Sequence, residues 1–406
     1  MIGGHVAEGF EEVREQFQSN FARRGELGAA VAAYVKGEKV VDLWGGYRDA
    51  RRQDRWEEDT LVLVYSTSKG MAGIAVAVAN SRGLIDYDAL VADYWPEFAQ
   101  NGKGAITVRQ LLAHQAGLSG LDVRMNSTTL KDLDAVADAL ASQKPAWKPG
   151  TRQGYHALTI GWYEGELIRR VDPEHRSLGR FFAEEVAKPL GLEFYIGLPA
   201  SVGPERVASI KGASIPSMLA HVRTMPAAML ASFLRPTSHT ARAFANPRMR
   251  GPADLDRPAY RAVEIPAGGG IGQVRSIARA YSDLAAGGPE LGLTEQTFSE
   301  LTAPPRPPSG NPRDLVLWVP AAYSLGFVRP TQDFRFGLGD RSLGHPGAGG
   351  SFGFADPEAQ VGFAYAPNRL GHHLRDDPRE KALRDALYRC LGNSARSGAV
   401  GAARSG

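Results

Sequence analysis

Residues 71–80 are almost all small or apolar, and they follow directly after a serine and a lysine. This composition predicts a buried helix that ends near Gly83. Ser66 and Lys69 stand at its start, and residues three positions apart lie on one face of a helix. We therefore expect the Ser66 hydroxyl and the Lys69 amine to lie within hydrogen-bonding reach of each other.

This pairing is typical of nucleophilic catalysis. A serine alcohol is a weak nucleophile until an adjacent base takes its proton. Lys69 can be that base, or can support it, if burial lowers its pKa by a few units from about 10.4, at roughly 1.4 kcal/mol per unit. The N–H groups at the helix start favour the negative charge that develops. Taken alone, a Ser-x-x-Lys pair is a weak indication, because it arises by chance in many chains.

The composition excludes several classes of protein. The chain has 406 residues, enough for one large domain or about two to three smaller ones, and 43% of them are hydrophobic. Its 47 basic and 44 acidic side chains form no basic stripe with interleaved aromatic residues, so we expect no nucleic-acid partner. The single Cys390 excludes an internal disulfide and a cysteine-rich metal site. His372 and His373 have no further ligands at metal spacing, so we expect neither a metal nor another cofactor.

The first residues and the apolar runs bear on cellular location. The N-terminus has no basic segment followed by an apolar one, so we expect no signal peptide and a cytoplasmic protein. The longest apolar runs are well short of the roughly 18 residues that a membrane span needs, so no membrane association is expected. The sequence leaves the oligomeric state open.

Periodicity, capping patterns and turn residues predict the secondary structure. In the first half they predict an amphipathic helix over residues 6–22, a β-hairpin over 28–46 that turns at Gly37-Glu38, a helix capped by Thr107 with Gly117 as a plausible stop, and a helix over 158–170. After the proline-rich loop at 304–308 they predict strands over 315–319, 323–328, 350–355 and 361–366 and a last helix over 378–391.

Two strand-bearing ends thus bracket a helical middle. The simplest assembly is an α+β fold in which residues 1–80 and 306–392 form one antiparallel sheet flanked by the N- and C-terminal helices. Residues 81–305 then form an inserted, mainly helical domain with long loops, and 393–406 form a flexible tail rich in Gly, Ala, Ser and Arg. The Ser66 helix lies at the junction, where clefts form.

Two other segments carry possible chemistry. Tyr155 follows Pro149-Gly150 at the entry of a predicted helix, where a phenol beside a cleft can exchange a proton with the serine. Residues 344–353 are rich in glycine, which marks a place where another group, such as an ester carbonyl, approaches the backbone of a strand closely. Each has an ordinary alternative, an amphipathic tyrosine in the first case and a glycine-rich hairpin connection in the second.

Residues 349–353 also fit the pattern Gly-x-Ser-x-Gly around Ser351. That nucleophile elbow requires a strand before the serine and a helix after it. Here the residues that follow predict a strand and a turn, so Ser351 is not the favoured nucleophile.

Together the three segments resemble, in order and spacing, the superfamily of serine β-lactamases and penicillin-recognising enzymes. The similarity is greatest to class C β-lactamases and family VIII carboxylesterases, and it extends over roughly residues 8–391. The resemblance implies a β-lactamase/transpeptidase-like fold with Ser66 as the acylated nucleophile, Lys69 as its proton partner and Tyr155 as the tyrosine of the Tyr-x-Asn motif. His345-Pro346-Gly347 falls where the family has Lys-Thr-Gly, which makes His345 and Gly347 substrate-binding candidates; the backbone N–H groups of Ser66 and Ala348 would form the oxyanion hole.

The departures from the family pattern favour one activity over others. Ala157 stands where β-lactamases have the asparagine that holds the acylamide side chain, and His345 replaces the lysine that helps bind the substrate carboxylate. Charged hydrogen bonds of this kind are worth roughly 1.5–3 kcal/mol. We therefore expect a serine esterase acting on a small-molecule carboxylic ester. An acyltransferase using the same acyl-enzyme, a weak β-lactamase and a non-catalytic relative remain alternatives, and the sequence leaves open whether Lys69 or Tyr155 is the base.

Residues 201–266 show no regular hydrophobic pattern, and they contain Met218, Met225, Met229 and Met249. Methionine adapts to irregular apolar shapes. One hypothesis is that Met225 and Met229 line a wall for the acyl or alcohol group, and the alternative is plain core or loop packing.

Overall fold

The computed structural model describes residues 2–212 and 221–402, with the backbone alone for 393–402. The strands are β1 (Ile2–Val6), β2 (Gly28–Val35), β3 (Glu38–Gly46), β4 (Val62–Leu63), β5 (Phe194–Ile196), β6 (Gly270–Gly272), β7 (Tyr323–Ser324), β8 (Phe327–Val328), β9 (Leu343–Pro346), β10 (Phe352–Asp356) and β11 (Val361–Pro367). The described residues form an eight-stranded antiparallel sheet with the strand order β1-β3-β2-β11-β10-β9-β8-β7. A second, smaller sheet has the strand order β4-β6-β5.

The α-helices are α1 (Glu11–Arg23), α2 (Ser68–Ser81), α3 (Val91–Tyr94), α4 (Val108–Leu112), α5 (Leu133–Ser142), α6 (Thr159–Val171), α7 (Leu178–Phe182), α8 (Lys188–Leu190), α9 (Ala227–Phe233), α10 (His239–Phe244), α11 (Pro258–Arg261), α12 (Val274–Ala285), α13 (Glu295–Thr302) and α14 (Pro378–Ala402). The expected α+β class with an antiparallel sheet from both chain ends is therefore confirmed.

The large sheet is covered by helices on both faces. Successive side chains of a strand point to opposite faces, and in β2 Val31 and Ala33 join the core cluster that contains α1 and α14, whereas Ala32 joins the cluster that contains α12. Helix α12 packs on β2, β10 and β11, and α1 packs against α14. On the α12 face, the core is continuous with the residues around α2.

Helix α2 lies at the centre of the larger core cluster, and its residues 68–79 are all buried. Its small residues let neighbours approach closely. A Cβ on Gly70 would stand 1.8 Å from the Tyr281 hydroxyl, and one on Gly73 would stand 3.0 Å from the Phe327 ring. The small residues of α2 thus let Tyr281 and Phe327 pack directly against the helix backbone.

Several predictions for the first half of the chain are confirmed. The hairpin 28–46 is formed by β2 and β3, although its turn is Lys36-Gly37, both at positive φ, which suits a two-residue turn. The Thr107 capping box begins α4, and the helix predicted over 158–170 is α6.

Other predictions for the first half were wrong. The helix predicted over 6–22 begins only at Glu11, because residues 2–6 form an edge strand on β3. Helix α4 ends at Leu112, before Gly117, and His114 at φ 58° already leaves the helix. The segment predicted to be mainly helical does contain most of the helices, and it also contributes the three-residue strands β5 and β6 to the smaller sheet.

The C-terminal predictions need similar corrections. Residues 323–328 form the two short strands β7 and β8 around Leu325 and Gly326, both at positive φ, and 315–319 form turns instead of a strand. The last helix passes residue 391 and continues to Ala402, so its predicted end was wrong, whereas the flexibility of residues 393–406 stays a prediction. Alanine is the best helix former, which favours this continuation. Residues 403–406 lie outside the described part of the chain.

Candidate active site

Ser66 lies in a tight turn that presents it to solvent. Residues Tyr65–Thr67 form a 3-10 turn directly before α2. From residue 61 to residue 79 every residue except Ser66 is buried, and Ser66 is partly exposed. Tyr65 has a positive φ of 50°, a conformation that a bulky residue rarely adopts and that often marks a functional turn.

The turn is held from two sides by hydroxyl groups. Ser68 Oγ donates to Tyr65 O over 2.5 Å and accepts from Gly270 N over 2.9 Å, which ties the turn to β6. Thr67 Oγ1 donates to Ser351 Oγ over 3.1 Å, and Ser351 Oγ donates to Val64 O over 2.8 Å. Ser351 is thus buried and used for support.

Lys69 is 1% exposed, and its amine meets three oxygen atoms. Nζ lies 3.0 Å from Ser66 Oγ and donates to Ala157 O over 2.7 Å and to Ala267 O over 2.6 Å. A neutral amine has two N–H groups and one lone pair. With both N–H groups held by the carbonyls, the lone pair is directed at the Ser66 hydroxyl.

Burial lowers the pKa of Lys69 to about 7, and the nearby Glu164 carboxyl acts in the opposite direction. Removing an amine from water disfavours its charged form. The protein therefore holds an appreciable share of Lys69 as the free amine near neutral pH, which is the form that can take a proton from Ser66.

Tyr155 lies just before α6 with its ring beside Lys69. Lys69 Nζ is 4.7 Å from the centre of the ring, and the Tyr155 backbone N–H donates to Asp314 Oδ2 over 2.9 Å. Burial raises the pKa of Tyr155, against a smaller opposite effect of the Ser66 hydroxyl. The phenol thus stays protonated at neutral pH and suits a proton donor better than a base.

Asp314 is a site-shaping residue that the sequence reasoning missed. Its Oδ2 accepts from Tyr155 N and from the Tyr323 hydroxyl, and its Oδ1 accepts from the backbone N–H groups of Val316 and Leu317. These bonds fold residues 314–318 into a turn, which is why the strand predicted there does not form. No local pattern in the sequence indicates this long-range contact.

The segment with His345 and Gly347 packs directly against the nucleophile turn. A Cβ on Gly347 would stand 2.2 Å from Ser351 Oγ and 2.4 Å from Val64 O, so only glycine fits there. This is the close approach that the dense glycines of 344–353 predict.

His345 is a buried, neutral imidazole. Its Nδ1 donates to Pro346 O over 2.8 Å, and its ring centre lies 5.8 Å from that of Tyr155. Burial, with a further contribution from the Lys69 charge, lowers the pKa of His345 well below its usual value. The side chain that replaces the family lysine therefore brings no positive charge to the site.

Ser66 and Ala348 are the residues whose backbone N–H groups are predicted to form the oxyanion hole. Neither N–H donates to an acceptor within 2–212 or 221–402, and Ala348 is exposed. Two such free donors beside a nucleophile can bind the oxygen of a tetrahedral intermediate.

Two buried histidines shape the loop that carries Tyr155. His156 Nε2 accepts from Leu118 N over 2.9 Å, and His114 Nδ1 accepts from His156 N over 3.1 Å. Burial lowers the pKa of both, to about 3 for His156. They are structural acceptors, and they hold residues 155–157 so that Ala157 O faces Lys69.

The methionine wall stays a prediction. Met225 is partly buried just before α9, and Met229 is buried within that helix. Met218 lies outside the described residues.

The described residues hold no group of three His, Cys, Asp or Glu side chains placed to bind a metal ion. None of their helices has both the length and the apolar character that crossing a membrane requires.

The sequence is similar to β-lactamases and to a protein named as both an esterase and a β-lactamase. The family model described as Beta-lactamase matches residues 13–388. The esterase/β-lactamase LipL of Mycobacterium tuberculosis (strain ATCC 25618 / H37Rv) is 36% identical over 362 residues, which cover 89% of this chain and 81% of that protein.

Two solved structures are similar over nearly the whole chain. A family VIII carboxylesterase is 40% identical with a TM-score of 0.84, covering 96% of this chain and 100% of the other. A penicillin-binding protein homologue from Caulobacter crescentus is 37% identical with a TM-score of 0.81 and the same coverage.

Proposed function

The chain belongs to the β-lactamase family, and we propose that within it the protein is a serine carboxylesterase that forms an acyl-enzyme on Ser66. The observation that carries the proposal is the buried Lys69 amine, 3.0 Å from Ser66 Oγ, with its other hydrogen bonds made to two backbone carbonyls. The named esterase and family VIII carboxylesterase among its relatives support the same activity.

In the first step Ser66 is activated and acylated. Lys69 takes the hydroxyl proton, and Oγ forms a bond to the ester carbonyl carbon. The carbonyl oxygen becomes an oxyanion that the N–H groups of Ser66 and Ala348 bind. We assign the base role to Lys69 because burial keeps Tyr155 a neutral phenol.

The second half of the reaction releases the alcohol and then the acid. As the tetrahedral intermediate collapses, Tyr155 gives its proton to the leaving alkoxide, and the Lys69 ammonium replaces that proton. Water then attacks the acyl carbon while Lys69 takes one of its protons, and the Lys69 ammonium returns that proton to Ser66 Oγ as the bond between the acyl carbon and Oγ breaks. Ser66 and the carboxylic acid are the products.

Two features favour an ester over a β-lactam as substrate. Ala157 has no side-chain amide to hold an acylamide group, and the neutral His345 offers no cation to a substrate carboxylate. An uncharged small-molecule ester needs neither contact.

The deciding experiment measures hydrolysis of p-nitrophenyl acetate and butyrate by the wild type and by Ser66→Ala, with mass spectrometry of the trapped acyl-enzyme. We expect activity to vanish in the variant and one acyl group to map to the Ser66 peptide. Nitrocefin turnover, measured in parallel, should be far slower than ester turnover. Activity that survives in Ser66→Ala would refute the proposal.

We also propose a cytoplasmic location. A chain with one cysteine, which is buried, gains nothing from an oxidising compartment. Fractionation of the source cells tests this, and recovery of the protein in the envelope or medium would contradict it.

A further inference from the structure

Glu164 is a fully buried acid in α6 that the mechanism above does not use. Its side chain is 0% exposed, and neither carboxyl oxygen has a hydrogen-bond partner in the described residues. It lies between Ile160 and Ile168, at a spacing of four, on the apolar face of the helix. Buried polar groups are nearly always paired, so an unpaired carboxyl calls for an explanation.

The carboxyl group lies beside the helix that carries Lys69. Glu164 Oε1 and the Cα of Gly73 both stand 3.3 Å from the point that a Cβ of Gly326 would occupy. Gly73 follows Lys69 by four residues, so it lies on the same face of α2, one turn further along. Glu164 therefore lies beside the face of α2 that carries Lys69, close enough for the two charges to interact.

We propose that Glu164 is a positioning residue for the ester hydrolysis: its carboxyl group acts through Lys69 and sets the pH range in which that amine is free to take the Ser66 proton. This inference rests on the role proposed above for Lys69. Glu164 itself touches neither the substrate nor Ser66.

The physical reason is the cost of charge inside a protein. The Lys69 ammonium is isolated from water, and a carboxylate nearby is the counter-charge that makes it tolerable. Burial raises the pKa of Glu164 and the Lys69 charge opposes that rise, so the ionised form of each group favours the ionised form of the other. Without Glu164 the ammonium would lose its proton at lower pH, and the amine would be a weaker base than the reaction at neutral pH needs.

The other titratable groups near Lys69 and Glu164 are uncharged, exposed or paired with other residues. Around Lys69, burial raises the pKa of Tyr155 and lowers those of His114 and His345, so all three stay uncharged. On Glu164's own helix, Glu166 binds Arg169 and Arg170. On the helices packed against it, Arg109 binds Asp88 and Glu300, Arg180 binds Glu184, and Asp134 binds Arg169. The other two acids on these helices are Asp93, which accepts from Leu90 N, and Asp138, which is exposed.

The test is the pH dependence of Ser66 labelling by a fluorophosphonate, which reports activation of the serine without the later steps. We expect Glu164→Gln, a variant of nearly the same shape, to move the midpoint of the acidic limb to lower pH by about one unit, the size expected of a nearby opposite charge. The matched control is Glu166→Gln on the same helix, whose midpoint should stay with the wild type.

The outcomes separate the two proposals. A wild type that is not labelled at any pH would refute the esterase mechanism itself. A labelled wild type whose midpoint is unchanged in a folded Glu164→Gln would refute the role of Glu164 alone. If Glu164→Gln does not fold, as judged by thermal unfolding, Glu164→Met gives the same comparison without a buried amide, and an unchanged midpoint there refutes the role equally.

Discussion

At the scale of single residues, the site divides its proton chemistry between two side chains with different environments. Lys69 is held by Ala157 O and Ala267 O with its pKa lowered, whereas the pKa of Tyr155 is raised by burial. Two titratable groups whose environments shift their pKa values apart suit opposite roles in acid–base catalysis. These environments support the proposal that the amine is the base and the phenol is the proton donor.

This division predicts a leaving-group effect for Tyr155→Phe. The variant keeps the ring beside Lys69 but removes the proton that an alkyl alcohol needs on leaving. We expect kcat/KM for an ethyl ester to fall about a hundredfold, the lower end of general-acid catalysis, and that for the p-nitrophenyl ester of the same acid to fall much less. The comparison of the two esters provides the control. Equal losses on both would show that Tyr155 does not protonate the leaving group.

At the scale of elements, the site is the contact of the turn before α2 with the end of β9. The hydroxyl chain Thr67–Ser351–Val64 O joins this turn to the residue before β10, and Gly347, just after β9, lets the segments meet. The position of the oxyanion donors therefore depends on how closely a strand from the end of the chain approaches a turn near its beginning. A displacement of about 1 Å in such a site costs roughly a hundredfold in rate.

Gly347→Ala tests this contact. The added methyl group would meet Ser351 Oγ and Val64 O, and overpacking of this kind costs typically about 1–3 kcal/mol. We expect a lower free energy of unfolding in urea and a kcat about a hundredfold lower. Gly251→Ala is the matched control, because Gly251 has extended backbone and open space around its Cβ position. A Gly347→Ala enzyme with wild-type kcat would show that the approach is not needed.

At the scale of the whole molecule, a buried ion network ties the two ends of the chain together. Arg379 of α14 binds Glu26 over 3.1 Å and Asp377 over 2.9 Å, and it donates to Gly349 O over 2.8 Å. Glu26 also accepts from the Tyr365 hydroxyl. The network thus reaches from α14 to Gly349, so the last helix supports the segment that carries the proposed oxyanion donor Ala348.

We expect Arg379→Met to lower the free energy of unfolding by about 3–5 kcal/mol, because it leaves the Glu26 and Asp377 carboxyl groups buried without their partner. The control is Arg389→Met on the same helix, whose exposed pair with Glu12 should contribute only about 0–1 kcal/mol. Chemical denaturation measures both. Similar losses in the two variants would contradict a stabilising role for the network.

The sequence by itself determined what depends on neighbouring positions. Three-residue spacing predicted the Ser66–Lys69 contact, the capping box predicted the start of α4, and motif order predicted that Tyr155 and His345 meet Lys69. These features follow from helix geometry or from a resemblance that extends over the chain.

Only the tertiary structure decided which distant groups surround the pair. Ala267 O, the Asp314 carboxylate and Glu164 reach the site through contacts between remote segments, and no local pattern encodes such contacts. The one indication was Glu164 itself, an acid at an apolar position of an amphipathic helix. The desolvation that makes Lys69 a base is a property of the folded surroundings, so it is absent from any list of motifs.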